Sequence, residues 1–299
     1  MKILFTDNSK PLETMGRKAI GPFNRMAAVL PKGEFFMKKI ISLATAFLIT
    51  LSASTMTYAT TQDISSDLSS GVVSIKVSSV SESKLLFLVE KDGIRYTYPI
   101  VDTDVNSFPL QLGNGTYTVR LMQNIEGNSY KELTKSTVSL NLEDSDVVFL
   151  NSIQDIEWNE NQAVALKAKA LTVGLASDEQ KIKAIYSYIT KNYKYDYSKA
   201  KNVTSGYFPN VESLFLSETG ICYDYAAVFA AMMRSVDIPT KLVKGYAVPT
   251  KDVYHAWNEV LVDGVWKIID TTIDASYVQA GKTVSMFKAT NDYSAKKIY

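Results

Sequence analysis

The stretch 255–270, HAWNEVLVDGVWKIID, sets two β-rich runs on either side of Asp263-Gly264. An Asp-Gly pair between such runs signals a two-residue hairpin, because both central positions of that turn need positive φ. Antiparallel partners then have residue numbers that sum to 527, so Leu261 faces Trp266 and Trp257 faces Asp270. The strand period of two puts His255 and Asp270 on one face as a diagonal pair, roughly 7–8 Å apart at the backbone. A carboxylate can reach an imidazole nitrogen across that gap. A one-residue slip in register would put the two side chains on opposite faces.

Upstream of the hairpin, residues 241–248 read as a connecting strand. Before it, Glu218-Thr219-Gly220-Ile221-Cys222-Tyr223 runs into a helix that ends near Val236, ahead of Pro239. Cys222 falls in the first turn, where unpaired backbone N–H groups and the helix dipole favour an anion and lower a thiol pKa. Ala226, Ala230 and Met233 continue the face of Cys222 and root the helix in a core. Cys222 is the single cysteine and His255 the single histidine in 299 residues, so no other thiol or imidazole can take either role. Together with Asp270 they supply a nucleophile, a base and an orienting carboxylate. A lone cysteine can also be an inert small hydrophobe. The nearby pairing of the only imidazole with a carboxylate favours catalysis over that reading.

Further upstream, residues 161–173 have helical composition, and Ser177-x-x-Gln180 is a capping box before Ile182, Ile185, Tyr186 and Ile189 at helical spacing. Residues 193–209 read as a Tyr-rich polar loop, after which Asn210 caps a short helix, 211–216. Before residue 150 the pattern is different: β-rich runs at 72–77, 84–90, 95–101, 115–124 and 136–142. Lys91-Asp92-Gly93 and Asn114-Gly115 read as hairpin turns, and Tyr117, Val119 and Leu121 alternate with polar neighbours. This is the pattern of a small antiparallel β-sandwich. It has no catalytic spacing and reads as a spacer or binding module.

The amino terminus has a third character. Lys38-Lys39 precede an apolar run, 40–51, and then small and polar residues end in Thr57-Tyr58-Ala59. That is a signal peptide, with an apolar run too short to span a bilayer. The expected organisation is an upstream extension, 1–36, non-translated or disordered; a signal peptide, 37–59; a β-sandwich domain, 60–150; and a catalytic domain, 151–299. With 46% apolar and 11% aromatic residues the chain can bury a sizeable core. Residues 1–59 hold 8 Lys/Arg and 3 Asp/Glu, which leaves 24 and 28 in the mature part, a net of about −4. No basic patch suited to nucleic acid remains. One cysteine allows no intrachain disulfide, and one cysteine with one histidine cannot build an ordinary zinc site. No P-loop, GxGxxG, HExxH or EF-hand pattern occurs, so no cofactor and no metal is expected.

Four motifs in order carry a family resemblance: Gly220-x-Cys222-x-x-Tyr225-Ala226; Ile238-Pro239-x-x-x-Val243-x-Gly245-Tyr246; His255-Ala256-Trp257-Asn258-Glu259-Val260; and Gly264-x-Trp266-x-x-x-Asp270-Thr271-Thr272. Over roughly residues 155–275 the chain resembles the transglutaminase-like superfamily, in its microbial branch with a papain-like core. The resemblance implies an α+β fold in which helices pack on an antiparallel sheet, here preceded by the small all-β sandwich. It implies a triad with Cys222 as nucleophile, His255 as base and later acid, and Asp270 as orienter. The thiolate would attack a carboxamide, expel ammonia or an amine and leave a thioester. A primary amine would resolve it to a new amide, and water would resolve it to an acid. Thr271 stands where this family often has proline, which removes a rigid turn. For the oxyanion, the Cys222 backbone N–H is the expected donor, and Tyr207 is a side-chain candidate that can equally be a packing residue.

Three functions follow. The first is an exported acyltransferase that crosslinks proteins, with a glutamine carboxamide as donor and a primary amine as acceptor. The second is a cysteine peptidase or amidase that uses water. The third is a non-catalytic cell-surface module that binds through its β-domain. The partners are protein or peptide substrates at the cell surface, with any wall attachment running through the β-domain, no nucleic acid, and no membrane once the signal is cleaved. Lys32-Gly33-Glu34 must be encoded AAR-GGN-GAR, which can spell a purine-rich ribosome-binding site before Met37. Translation from Met37 predicts an exported protein that begins near Thr60. Peptide mapping of whole cells tests this, and peptides from residues 1–36 would refute it.

Overall fold

The computed structural model describes residues 63–80, 84–101, 103–251 and 253–299; the expected extension and signal peptide lie outside them. Seven strands come first: β1 (Asp63–Asp67), β2 (Val72–Lys76), β3 (Leu85–Lys91), β4 (Ile94–Ile100), β5 (Asn106–Pro109), β6 (Gly115–Glu126) and β7 (Ser129–Leu140). They form two antiparallel sheets, ordered β1-β2-β5 and β4-β3-β6-β7. The alternation seen at Tyr117, Val119 and Leu121 turns these side chains inward, where they share one core with Val73, Ile75, Phe87 and Phe108 from both sheets. Phe87 and Phe108 stack across it at 4.7 Å.

Asp92-Gly93 makes the β3–β4 hairpin with positive φ at both residues, 51° and 79°. Asn114-Gly115 does not make a hairpin: β5 and β6 lie in different sheets, and the pair closes the loop that crosses between them. The Asn114 amide exchanges hydrogen bonds with the backbone of Leu142, at 2.7 and 2.8 Å, which ties that loop down. Strand β7 also starts seven residues before the run at 136. Its first half is mostly polar and lies at a sheet edge, so burial gives it no readable alternation.

The second half supplies α1 (Ala163–Thr172), α2 (Asp178–Asn192), β8 (Lys194–Tyr195), α3 (Tyr197–Asn202), α4 (Val211–Ser217), β9 (Thr219–Gly220) and α5 (Cys222–Arg234). After them come β10 (Thr240–Ala247), β11 (Tyr254–Val262), β12 (Val265–Ile269), α6 (Thr271–Gln279) and β13 (Tyr293–Ile298). The capping box at Ser177 and Gln180 forms as read. The stretch 193–209, read as a loop, contains β8 and α3; a helix of six residues capped by Asp196 is too short to show a period. Strand β13 has no signal in the sequence, because it is a largely exposed edge with Lys296 and Lys297 on it.

The fold is α+β. An antiparallel sheet ordered β12-β11-β10-β13 packs on helix α5, which is buried along its whole length. Asn258 on β11 donates to the Ala226 carbonyl at 2.9 Å, so a polar contact fixes how helix and sheet meet. The register is the one the hairpin implied: Leu261 faces Trp266 and Asn258 faces Ile269.

Arg234, at the end of α5, is almost fully buried and joins the two halves. Its guanidinium donates to the carbonyls of Asn151, Thr240 and Tyr299 at 2.5 to 3.1 Å. Tyr299 in turn lies edge-on to Tyr96 and Tyr98 of the sandwich. Arg234→Met keeps the volume but strands these acceptors in a buried site. We expect a loss of about 3 kcal/mol, read as a lower midpoint in urea unfolding.

Candidate active site

Helix α5 begins where a buried carboxylate gathers its first turn. Asp224 Oδ2 accepts the Ile221 backbone N–H at 2.8 Å and the Lys199 ammonium at 2.6 Å, and Oδ1 accepts the Tyr207 hydroxyl at 2.6 Å. Gly220 is required here by close approach. A Cβ at 220 would stand 2.5 Å from Asp224 Cβ and 2.8 Å from its carboxylate. This arrangement holds Cys222, 7% exposed, in the first turn of the helix. Tyr207 therefore spends its proton on Asp224, with burial pushing its phenol above the ordinary range. It is part of the scaffold and not a free oxyanion donor.

His255 and Asp270 come together on the hairpin face. His255 Nε2–H donates to Asp270 Oδ2 at 2.7 Å, with the two side chains 5% and 0% exposed. Asp270 lies just past the end of β12 and is the N-cap of α6: its Oδ1 accepts the Ile273 N–H at 3.1 Å. The missing proline is thus replaced by a helix start, which fixes the carboxylate by a different means. Sequence reasoning also missed Tyr293 on β13, whose hydroxyl donates to Asp270 Oδ2 at 3.1 Å. A polar edge strand gave no reason to look there.

With Nε2 occupied by Asp270, Nδ1 is the ring nitrogen left for the thiol. Burial disfavours the imidazolium, but the charge and hydrogen bond of Asp270, together with Cys222, outweigh it and raise the His255 pKa to about 10. An unfolded histidine titrates near 6.5. The charged imidazole therefore stabilises the fold fully below about 6.5, and that contribution is lost as pH rises through about 10.

Cys222 and His255 lie between two clefts. The larger, about 590 Å³, is lined by Tyr195, Tyr197, Tyr225, Tyr254 and Gln279. The smaller, about 160 Å³, is lined by Gly206, Tyr207, Tyr223 and Lys244. Among the described residues no three His, Cys, Asp or Glu side chains converge as a metal site would. No described helix is long and apolar enough to cross a membrane.

Residues 166–271 match the model of the transglutaminase-like superfamily. A UPF0252 protein of Methanocaldococcus jannaschii is 31% identical over 115 residues, 35% of this chain and 33% of that protein. Kyphoscoliosis peptidase of Mus musculus is 28% identical over 120 residues, 37% of this chain and 18% of that protein. The chain thus spans a third or less of the length of these curated relatives. Among solved structures, the periplasmic domain of TgpA from Pseudomonas aeruginosa is similar at 14% identity and a TM-score of 0.34, over 68% of this chain and 72% of that one.

Gly220→Ala would push Asp224 away from the helix start. We expect a stability loss of about 1–3 kcal/mol with slower alkylation of Cys222, both measurable on one purified sample. Wild-type alkylation rates would contradict this account of the helix start.

Proposed function

The chain belongs to the transglutaminase-like superfamily through residues 166–271, and on that premise we propose that it is an exported thiol acyltransferase acting on protein carboxamides. The observation that carries this reading is the buried His255–Asp270 hydrogen bond at 2.7 Å beside the only thiol in the chain. In a triad of Cys222, His255 and Asp270, the thiolate attacks the carboxamide carbon while the imidazolium stands by. Backbone N–H groups in the first turn of α5, that of Cys222 first, face the developing oxyanion. When the tetrahedral adduct collapses, its C–N bond breaks and His255 gives its proton to the departing nitrogen. Ammonia leaves and a thioester to Cys222 remains. Neutral His255 then takes a proton from the attacking amine, a new amide forms, and the thiolate returns.

Asp270 holds the tautomer that leaves Nδ1 facing sulfur, and it keeps the imidazole charged at neutral pH. The tyrosine-lined cleft of about 590 Å³ suits an extended, uncharged donor segment. The smaller cleft on the other side of the thiol gives an acceptor a separate approach. Export is supported by the basic, apolar and small-residue pattern of residues 37–59. Hydrolysis by the same triad is the second reading, favoured by two clefts that both reach the thiol and admit water to a thioester.

Incubation with a glutamine-containing donor and a labelled primary amine distinguishes the two. Amine incorporation that is lost in Cys222→Ala supports transfer, and release of ammonia or fragments without incorporation supports hydrolysis. No turnover of either kind and no labelling of Cys222 by a thiol probe would leave the β-domain as a binding module. The alkaline limb of the rate profile is expected near pH 10, where His255 loses its proton. Asp270→Asn removes the group that raises this pKa. It should move the limb down toward 6.5 and lower kcat about 10²- to 10⁴-fold.

A further inference from the structure

Asp270 Oδ2 accepts two hydrogen bonds, from His255 Nε2 at 2.7 Å and from the Tyr293 hydroxyl at 3.1 Å. Tyr293 reaches it because of a glycine on the neighbouring strand. Gly245 on β10 pairs with His255 on one side and with Ala295 on the other, and the β10–β13 ladder slips between Lys244 and Gly245. A Cβ at 245 would stand 2.1 Å from the Ser294 carbonyl oxygen and 2.9 Å from the Trp257 ring. Without a side chain there, β13 comes close enough for Tyr293 to meet Trp257 edge-on, with ring centroids 5.1 Å apart. Trp257 in turn lies beside the His255 ring, with centroids 6.3 Å apart and planes 26° from parallel. Burial, with Asp270 next, raises the Tyr293 phenol above its ordinary range, so it keeps its proton and remains a donor at working pH.

We propose that Tyr293 is a positioning residue of the triad, which draws part of the Asp270 charge away from His255 and so lets the imidazolium release its proton to the leaving group. The proposal rests on the acyl-transfer reading of Cys222, His255 and Asp270. A carboxylate oxygen with one donor concentrates its charge on that donor, and a second donor divides it. The effect belongs to this hydroxyl, because among the described residues none of the other ionisable groups nearby, His255 apart, is bonded to the Asp270 carboxylate. Asp274 on α6 is bonded to Lys288 at 2.6 Å and to Tyr186 of α2 at 2.9 Å. Cys222 faces the imidazole from α5, and Asp292 faces Tyr293 from the residue before it. Among the described residues, the hydrogen bonds drawn to Asp270 side-chain oxygens come from His255, Ile273 and Tyr293.

With one histidine in the chain, its ring signals can be assigned without ambiguity by NMR of the full-length protein. Cys222→Ala serves as the background, so that no thiolate contributes to the imidazole titration. Adding Tyr293→Phe, which keeps the ring against Trp257, should move that titration upward by about half a pH unit or more. In an Asp270→Asn background the same change should have no effect. An unchanged or lowered titration would overturn the proposal, as would an equal shift without Asp270. Should Tyr293→Phe fail to fold, the unsubstituted chain still decides. Its Tyr293 hydroxyl proton, held on Asp270, should give a slowly exchanging resonance at pH 7, and a hydroxyl in fast exchange with solvent would overturn the proposal.

Alkylation of Cys222 by iodoacetamide, followed by mass spectrometry, tests the underlying reading separately. An onset near pH 8.5, the same in Asp270→Asn, is ordinary thiol behaviour and would remove the acyl-transfer reading. The imidazole titration would then still report on Tyr293 by itself.

Discussion

One buried carboxylate holds the site together. Asp270 is fully removed from solvent, and an isolated charge there would cost several kcal/mol. It is stable because three donors from three elements converge on it: His255 from β11, the Ile273 backbone from α6 and Tyr293 from β13. The same bonds explain why α6 starts at this residue and why an edge strand is drawn in beside the hairpin. They also explain the charge on His255, since among the described residues the imidazolium is the only cation bonded to Asp270. Structure and electrostatics here are one fact seen from two sides.

Asp224 at the start of α5 is a useful contrast. It is just as buried, and it too gathers three donors, but its charge is met by the Lys199 ammonium at 2.6 Å. That ion pair serves to hold the helix end still. Asp270 instead faces a group that can lose and regain a proton. The two carboxylates flank the thiol, one fixing where sulfur stands and the other setting the charge of the ring beside it.

The β-sandwich reaches this neighbourhood through the segment that follows it. Asp155 accepts the Tyr223 hydroxyl and the Lys244 ammonium, and Lys244 also lies over the Tyr223 and Tyr299 rings. Gln154, one residue away, donates to the Pro99 carbonyl of the sandwich at 2.7 Å. Tyr223, the residue after Cys222, is thus tied by two steps to β4. A displacement of the sandwich would be felt in the first turn of α5, and Arg234 ties the other end of that helix to the same boundary.

The hairpin at 255–270 could be read because its information is local. Asp-Gly demands positive φ at two positions, and the period of two then leaves no freedom about which side chains share a face. The capping box and apolar period of α2 and the alternation of the sandwich strands were legible for the same reason, since each depends on residues a few positions apart. Tyr293, the role of Asn114-Gly115 and the short elements within 193–209 were not. An edge strand shows no burial pattern, a two-residue turn motif does not say which sheet the next strand joins, and a six-residue helix is shorter than two periods. The residues able to do chemistry, and the register that sets His255 and Asp270 on one face, can be read from the chain alone. The approach of β13 past Gly245, the reach of Tyr293 to Asp270 and the bond from Tyr207 to Asp224 arise from packing alone. Those outcomes depend on contacts between separate elements of the fold, where packing in three dimensions chooses the partner.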